Sequence, residues 1–312
     1  MNDALTEHPV AWMDIYAAPQ RLVKINRRRR FNLHVTGEGS PTVVLSAGFL
    51  GLTIDWALVQ PFVARFARVV SFDNAGLGFS DPGPRPRTST AIVEDLRAAL
   101  KAAGISPPYV LVGHSAGGLR MRLFAALHPN EVTGLVIVDS VTADWETRLF
   151  GGSGRGSARD RKAYRRLLTM VRAGTLKADT DEYREHIRVP RAELTPAVNA
   201  AFHDMWTRPS YLMTAISESS HLNAATAEEL AADCRSLGDL PLIVLSASKI
   251  GTMPIIGGNR ERIDTWFAMH DQIAALSTRG ERRIVDSGHN IPIEAPREVV
   301  AAITDVVEML RA

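Results

Sequence analysis

The chain has 312 residues, 46% of them hydrophobic and 22% charged, with a formal net charge of +2. That length suits one large α/β domain with room for an insertion, and so small a charge argues against a nucleic-acid partner. The single cysteine, Cys234, excludes an internal disulfide; it sits at a helix end and reads as a buried, inert thiol.

The first ten residues, MNDALTEHPV, carry acids early and lack an apolar core, so no signal peptide is expected. No stretch reaches the 18 or so apolar residues of a membrane span, and a cytoplasmic protein is the expectation. Arg21–Ile25 and Phe31–Thr36 read as strands, with the run Arg27–Arg30 as a solvated turn between them rather than a patch for anionic surfaces. Short runs rich in Val, Ile and Leu follow at Thr42–Leu45, Val69–Phe72, Tyr109–Val112, Leu135–Val138, Leu242–Leu245 and Arg283–Val285. Unbroken apolarity is what a strand covered on both faces needs. Thr42–Leu45 runs into Ser46–Gly51 and a helix expected near Asp55. Thr90–Ala103 and Pro296–Arg311 have helical spacing. The alternation predicts a doubly wound, mostly parallel sheet.

Tyr109–Val112 leads into Gly113-His114-Ser115-Ala116-Gly117, and a helical pattern follows. A sharp strand-to-helix turn of this kind pushes a serine hydroxyl out above the sheet, and only small residues at Gly113 and Gly117 let the chain pack so tightly. The following helix points its N-terminus at Ser115, so the Ala116 N–H can donate to a developing oxyanion. Strand signals lapse from about Thr142 to Arg235, where Arg159–Val171 and a helix opening at Thr195-Pro196 predict a helical cap after the mobile-looking Gly151–Gly156. The first half of that cap, Glu146–Arg191, holds twelve Lys or Arg against six Asp or Glu, read as a solvated face. The expected division is 1–141 with 236–312 as the core and 142–235 as the cap. After the last strand comes Asp286-Ser287-Gly288-His289. A histidine late in the chain, at a strand end and before a helix, stands where a base belongs in the order serine, acid, histidine.

Two segments carry a family resemblance. Ser46-Ala47-Gly48-Phe49-Leu50-Gly51 resembles the oxyanion loop of α/β-hydrolases, with Ala47 where histidine is common; the resemblance implies Phe49 as the second backbone donor, ahead of Leu50. Phe72-Asp73-Asn74-Ala75-Gly76-Leu77-Gly78-Phe79-Ser80-Asp81 resembles that family's loop after its fourth strand, with Asn74 where arginine is usual and Asp73 structural. Many members carry the catalytic acid after the strand that follows the cap, but Ser246-Ala247-Ser248-Lys249 offers no carboxylate. Some members carry it one strand after the nucleophile, which here is Asp139, 24 residues beyond Ser115. From Thr42 to Asp139 and from Pro241 to the end, the chain is similar to bacterial α/β-hydrolases of the esterase and lipase type.

The resemblance implies an α/β-hydrolase fold with an inserted helical cap, and a serine esterase acting on small, apolar esters through an acyl-enzyme. Ser115 is the expected nucleophile, His289 the base and Asp139 the acid, with Phe49 and Ala116 as the oxyanion hole. Leu50, His114 and Trp145 are expected to bind substrate, and Trp56, Trp206 and Tyr211 are further candidates for an apolar pocket. Ser115 argues against epoxide hydrolysis and dehalogenation, which need a carboxylate there. Amide or lactone hydrolysis and cofactor-free perhydrolysis use the same groups and stay open, as does a non-catalytic receptor. No His, Cys, Asp and Glu cluster has metal-ligand spacing, and no phosphate loop appears, so no metal or cofactor is expected.

Overall fold

The computed structural model describes residues 11–152, 155–177, 194–222 and 226–311. Eight strands form one sheet: β1 (Arg21–Lys24), β2 (Arg30–Thr36), β3 (Thr42–Ser46), β4 (Val69–Phe72), β5 (Tyr109–His114), β6 (Val132–Val138), β7 (Leu242–Ala247) and β8 (Gly280–Val285). Their spatial order is β1-β2-β4-β3-β5-β6-β7-β8. β2 pairs antiparallel with both β1 and β4, and every pairing from β4 to β8 is parallel. Ser115 and Asp139 thus follow neighbouring central strands, and their register sets His114 beside Val138.

The apolar runs are explained by two cores, one on each face of the sheet. Val110 and Val112 of β5 enter one with Val43, Leu45, Val136 and Val138. Tyr109 and Leu111 enter the other with Val44, Leu135 and Ile137. Helices cover both faces: α1 (Ser89–Ala102), α2 (Ala116–Leu127), α3 (Trp145–Phe150), α4 (Arg155–Ala173), α5 (Pro196–Trp206), α6 (Pro209–Leu222), α7 (Ala227–Cys234), α8 (Arg260–Ala274) and α9 (Pro296–Met309). Caps set several of their starts. The Thr88 side chain accepts from Ala91 N, and Thr195 from Val198 N.

Two expectations need correction. β8 is an edge strand paired with β7 alone, and Ile284 is 65% exposed, so it is not buried on both faces. The segment after Ser46–Gly51 forms only a 3₁₀ turn, Thr53–Trp56, and then one α-turn, Gln60–Val63. Of the basic run Arg27–Arg30, Arg29 is partly buried and pairs with Asp95, while Arg30 opens β2, stays exposed and pairs with Asp81. Cys234 ends α7. Ser153, Gly154 and the stretch 178–193 lie outside the described residues, and with them part of the glycine loop and of the basic segment. Among the described residues no helix is long and apolar enough to cross a membrane.

Between β6 and β7 the described elements are all helical. Two buried ion pairs, which the sequence reading missed, tie these helices to α2: Arg120 to Glu218 at 3.0 Å and Arg122 to Asp233 at 2.7 Å. Arg122 also donates to Val141 O, and Asp233 accepts from Ala143 N, so this pair grips the segment leaving β6. Losing one partner strands the other charge in a dry site, which is far costlier than the pair's net worth.

Asp73, fully buried at the end of β4, binds three chain segments through Asn32 Nδ2 (2.8 Å), Thr53 N (2.9 Å) and Phe79 N (3.1 Å). Burial raises its pKa, and the donors oppose that rise. Asp73→Ala leaves those donors unsatisfied, so urea denaturation is expected to show a loss of about 3 kcal/mol or more in folding stability.

Candidate active site

The turn after β5 holds Ser115 at φ 52 and ψ −125, outside the regions that ordinary side chains favour. The glycines around it explain why the turn closes. A Cβ on Gly113 would lie 2.5 Å from the Gly117 backbone, and one on Gly117 would lie 2.2 Å from Ser46 O. Ser115 N donates to Val138 O at 2.9 Å, while Ser115 O accepts from Gly118 N (2.9 Å) and from the Ser140 hydroxyl (2.7 Å). The strained residue is therefore held by its backbone, and its side chain lines a pocket.

That pocket has a volume of about 220 Å³, and its walls include Gly48, Phe49, Asp55, Ser115, Met253 and His289. His289 Nδ1 lies 2.6 Å from Asp139 Oδ2. The second oxygen of Asp139 accepts from Ala247 N at 2.9 Å and from Trp266 Nε1 at 3.2 Å. Asp139, itself at φ 43, is completely buried. Burial pushes its carboxyl up, but the His289 hydrogen bond, the nearby histidines and the Ala247 N–H more than offset this and hold its pKa below the usual value. The loop carrying His289 is braced in turn. Glu294 accepts from Gly288 N at 2.7 Å, and His114 Nε2 lies 2.9 Å from His289 O, with the two rings 4.8 Å apart.

The other acidic candidates lie elsewhere. Asp286 is exposed and paired with Lys249, and Asp264 is exposed and paired with Arg260. Glu261 is likewise exposed, on α8.

Beside Ser115, Gly51 N donates to Gly48 O, closing a turn whose first central residue is Phe49. The turn does not use the Phe49 N–H. Ala116 opens α2, so its N–H has no intrahelical acceptor. Of the three residues expected to bind substrate, His114 lines the pocket and the other two do not. Leu50, at φ 55, packs with Leu52, Leu77 and residues of α4, α5 and α6. Trp145 turns its Nε1 to Leu222 O and its ring edge to Phe150. Trp56 is buried in the core, while Trp206 stacks on Tyr211 in the cluster beneath the helices. Among the described residues, no three His, Cys, Asp or Glu side chains are grouped as a metal ion would need.

A profile of the alpha/beta hydrolase fold family matches residues 41–296. Over 278 residues the chain is 24% identical to the uncharacterized protein YqjL of Bacillus subtilis (strain 168), an alignment spanning 88% of this chain and 86% of that one. Among solved structures, a lipase candidate from Acinetobacter baumannii AYE superposes with a TM-score of 0.68 at 17% identity, covering 100% of this chain and 98% of that one. A thermophilic esterase from Thermogutta terrifontis gives 0.65 at 18% identity, covering 95% and 100%. At such identities the structural likeness speaks for the fold alone. With the matched profile covering most of its length, the chain belongs to the α/β-hydrolase fold family.

Proposed function

We propose that this protein is a serine hydrolase that cleaves carboxylic esters of small molecules through an acyl-enzyme. The observation that carries this reading is the 2.6 Å contact between His289 Nδ1 and buried Asp139, in a pocket that His289 shares with the strained Ser115. With Nδ1 bound to the carboxylate, Nε2 is the ring nitrogen left to take a proton from Ser115 Oγ. Oγ attacks the ester carbonyl, and the N–H groups of Phe49 and Ala116 receive the charge that develops on its oxygen. Imidazolium returns the proton to the leaving alcohol. Water, deprotonated by the same nitrogen, then attacks the acyl-enzyme and releases the acid.

Residues 142–235 act in this reading as a cap. Helices α4 to α6 pack over the loops that carry Phe49 and Leu50, and so set the space above the nucleophile. The pocket's 220 Å³ is below the roughly 300–1,000 Å³ of sites that hold drug-sized ligands, which favours short acyl chains. Across a series of p-nitrophenyl esters, kcat/KM for the acetate and butyrate should exceed that for the decanoate by about tenfold or more, since mismatched methylenes cost on that scale. A profile that climbs towards long chains contradicts the reading. Faster cleavage of matched amides or lactones would move the assignment to those substrates on the same machinery.

A further inference from the structure

The strand end that lacks an acid has not been left idle. β7 runs out at Ser246 and Ala247, and Ala247 N–H donates to Asp139 Oδ1 from the neighbouring strand. Trp266, on α8 and 2% exposed, donates its indole N–H to the same oxygen at 3.2 Å. Its ring also stands edge-on to His289, with centroids 5.8 Å apart and planes at 79°. Behind it lies His270, fully buried, whose ring centroid is 5.8 Å from that of Trp266. His270 Nε2 faces Ser140 O at 2.6 Å and Nδ1 faces the Ser246 hydroxyl at 2.7 Å, so the neutral ring uses both nitrogens. Burial, acting against the attraction of Asp139, keeps His270 below its ordinary pKa.

We propose that Trp266 is a positioning residue that acts through Asp139, its indole N–H fixing the carboxylate so that Oδ2 faces His289. The proposal rests on Asp139 being the acid of Ser115 and His289. An indole suits this task because it donates and cannot accept, so it binds the carboxylate oxygen and never competes for the His289 proton. Without Trp266, Oδ1 would be held by the single N–H of Ala247. With two donors on Oδ1 the plane of the group is set, and the charge is shared between Oδ1 and the imidazole rather than borne by His289 alone.

Trp266→Phe keeps the ring packing and removes only the donor. In hydrolysis of p-nitrophenyl butyrate, kcat is expected to fall about tenfold with KM unchanged, the scale of one hydrogen bond to a charged group. A carboxylate relieved of a donor attracts the imidazolium more strongly, so the acidic limb of the kcat/KM profile should move up by about half a pH unit. Other groups near His289 stay as they are: His114 against its ring, Asp55 in the same pocket, Glu294 on Gly288 N, and the exposed Lys249–Asp286 pair. In the Asp139→Asn background Trp266→Phe should add less than a twofold loss, because the charge it serves is gone. Wild-type kinetics in Trp266→Phe, or an additive loss in that background, overturns the inference. If Asp139→Asn itself stays active, the failure lies with the triad reading instead. Should Trp266→Phe not fold, the Trp266 indole ¹H–¹⁵N signal, expected to move upfield in Asp139→Asn, decides in its place. An unmoved signal overturns the proposal.

Discussion

Replacing Ser115 by alanine should reduce ester turnover to near background, a loss of about 10⁶-fold where a triad nucleophile is removed. The fold should survive. The bonds that hold residue 115 in its strained conformation use its own main-chain atoms: its N–H on Val138 O, and its carbonyl receiving Gly118 N and the Ser140 hydroxyl. Alanine keeps each of these bonds and carries the same Cβ, so the turn costs no more than before. Steady-state hydrolysis of a short-chain p-nitrophenyl ester, beside a thermal melt, reads both outcomes. A variant retaining more than about a tenth of wild-type turnover would remove Ser115 from the chemistry.

Asp139→Asn should be the next most damaging change, with turnover down by roughly 10⁴-fold, the scale known from other triads. The structure supplies the reason. Ala247 N–H and Trp266 Nε1–H both point at Oδ1, so the amide must keep its oxygen there and turn its NH₂ towards His289 Nδ1. Nδ1 must then accept, which places the ring proton on Nε2 and disables the base. Asp286→Asn and Asp264→Asn only loosen exposed ion pairs with Lys249 and Arg260, and should cost less than tenfold. A pH signature accompanies the change. Asp139 is held below its unfolded pKa, so its charge stabilises the fold above the ordinary aspartate value near 3.9, and that contribution is lost as pH falls through the lower folded value. Urea midpoints measured across that acidic window should therefore depend less on pH in Asp139→Asn than in wild type.

How much of this was legible in the sequence follows from how local each signal is. Gly113, Ser115 and Gly117 announce themselves because a sharp strand-to-helix turn has a steric requirement written in five consecutive residues. The central strands could be read because a sheet covered on both faces needs unbroken apolar runs, a need that lapses at the edges, where β1 and β8 lie. Asp139 could be named only by noticing that Ser246–Lys249 lacks a carboxylate, and the fold brings it to His289 across 150 residues of sequence. Trp266 and His270 went unseen. At i and i+4 on an amphipathic helix they look like ordinary core, and the bond from Trp266 to Asp139, like those of His270 to Ser140 and Ser246, depends on β7 lying beside β6. The vacant acid position was the one available hint, since a buried carboxylate on the neighbouring strand needs donors from somewhere. Leu50 and Trp145 do not line the pocket that Ser115 shares with His289: Leu50 packs with residues of α4 to α6 and Trp145 turns to Leu222 and Phe150, long-range contacts that no local pattern encodes.

The central claim, that Ser115 is a nucleophile activated by His289, is tested most directly by covalent labelling. A fluorophosphonate added to the intact protein should give a single adduct by mass spectrometry, mapped by peptide sequencing to Ser115. It should be absent in Ser115→Ala and strongly slowed in His289→Ala. An unlabelled wild-type protein, or an adduct on any other residue, would contradict it.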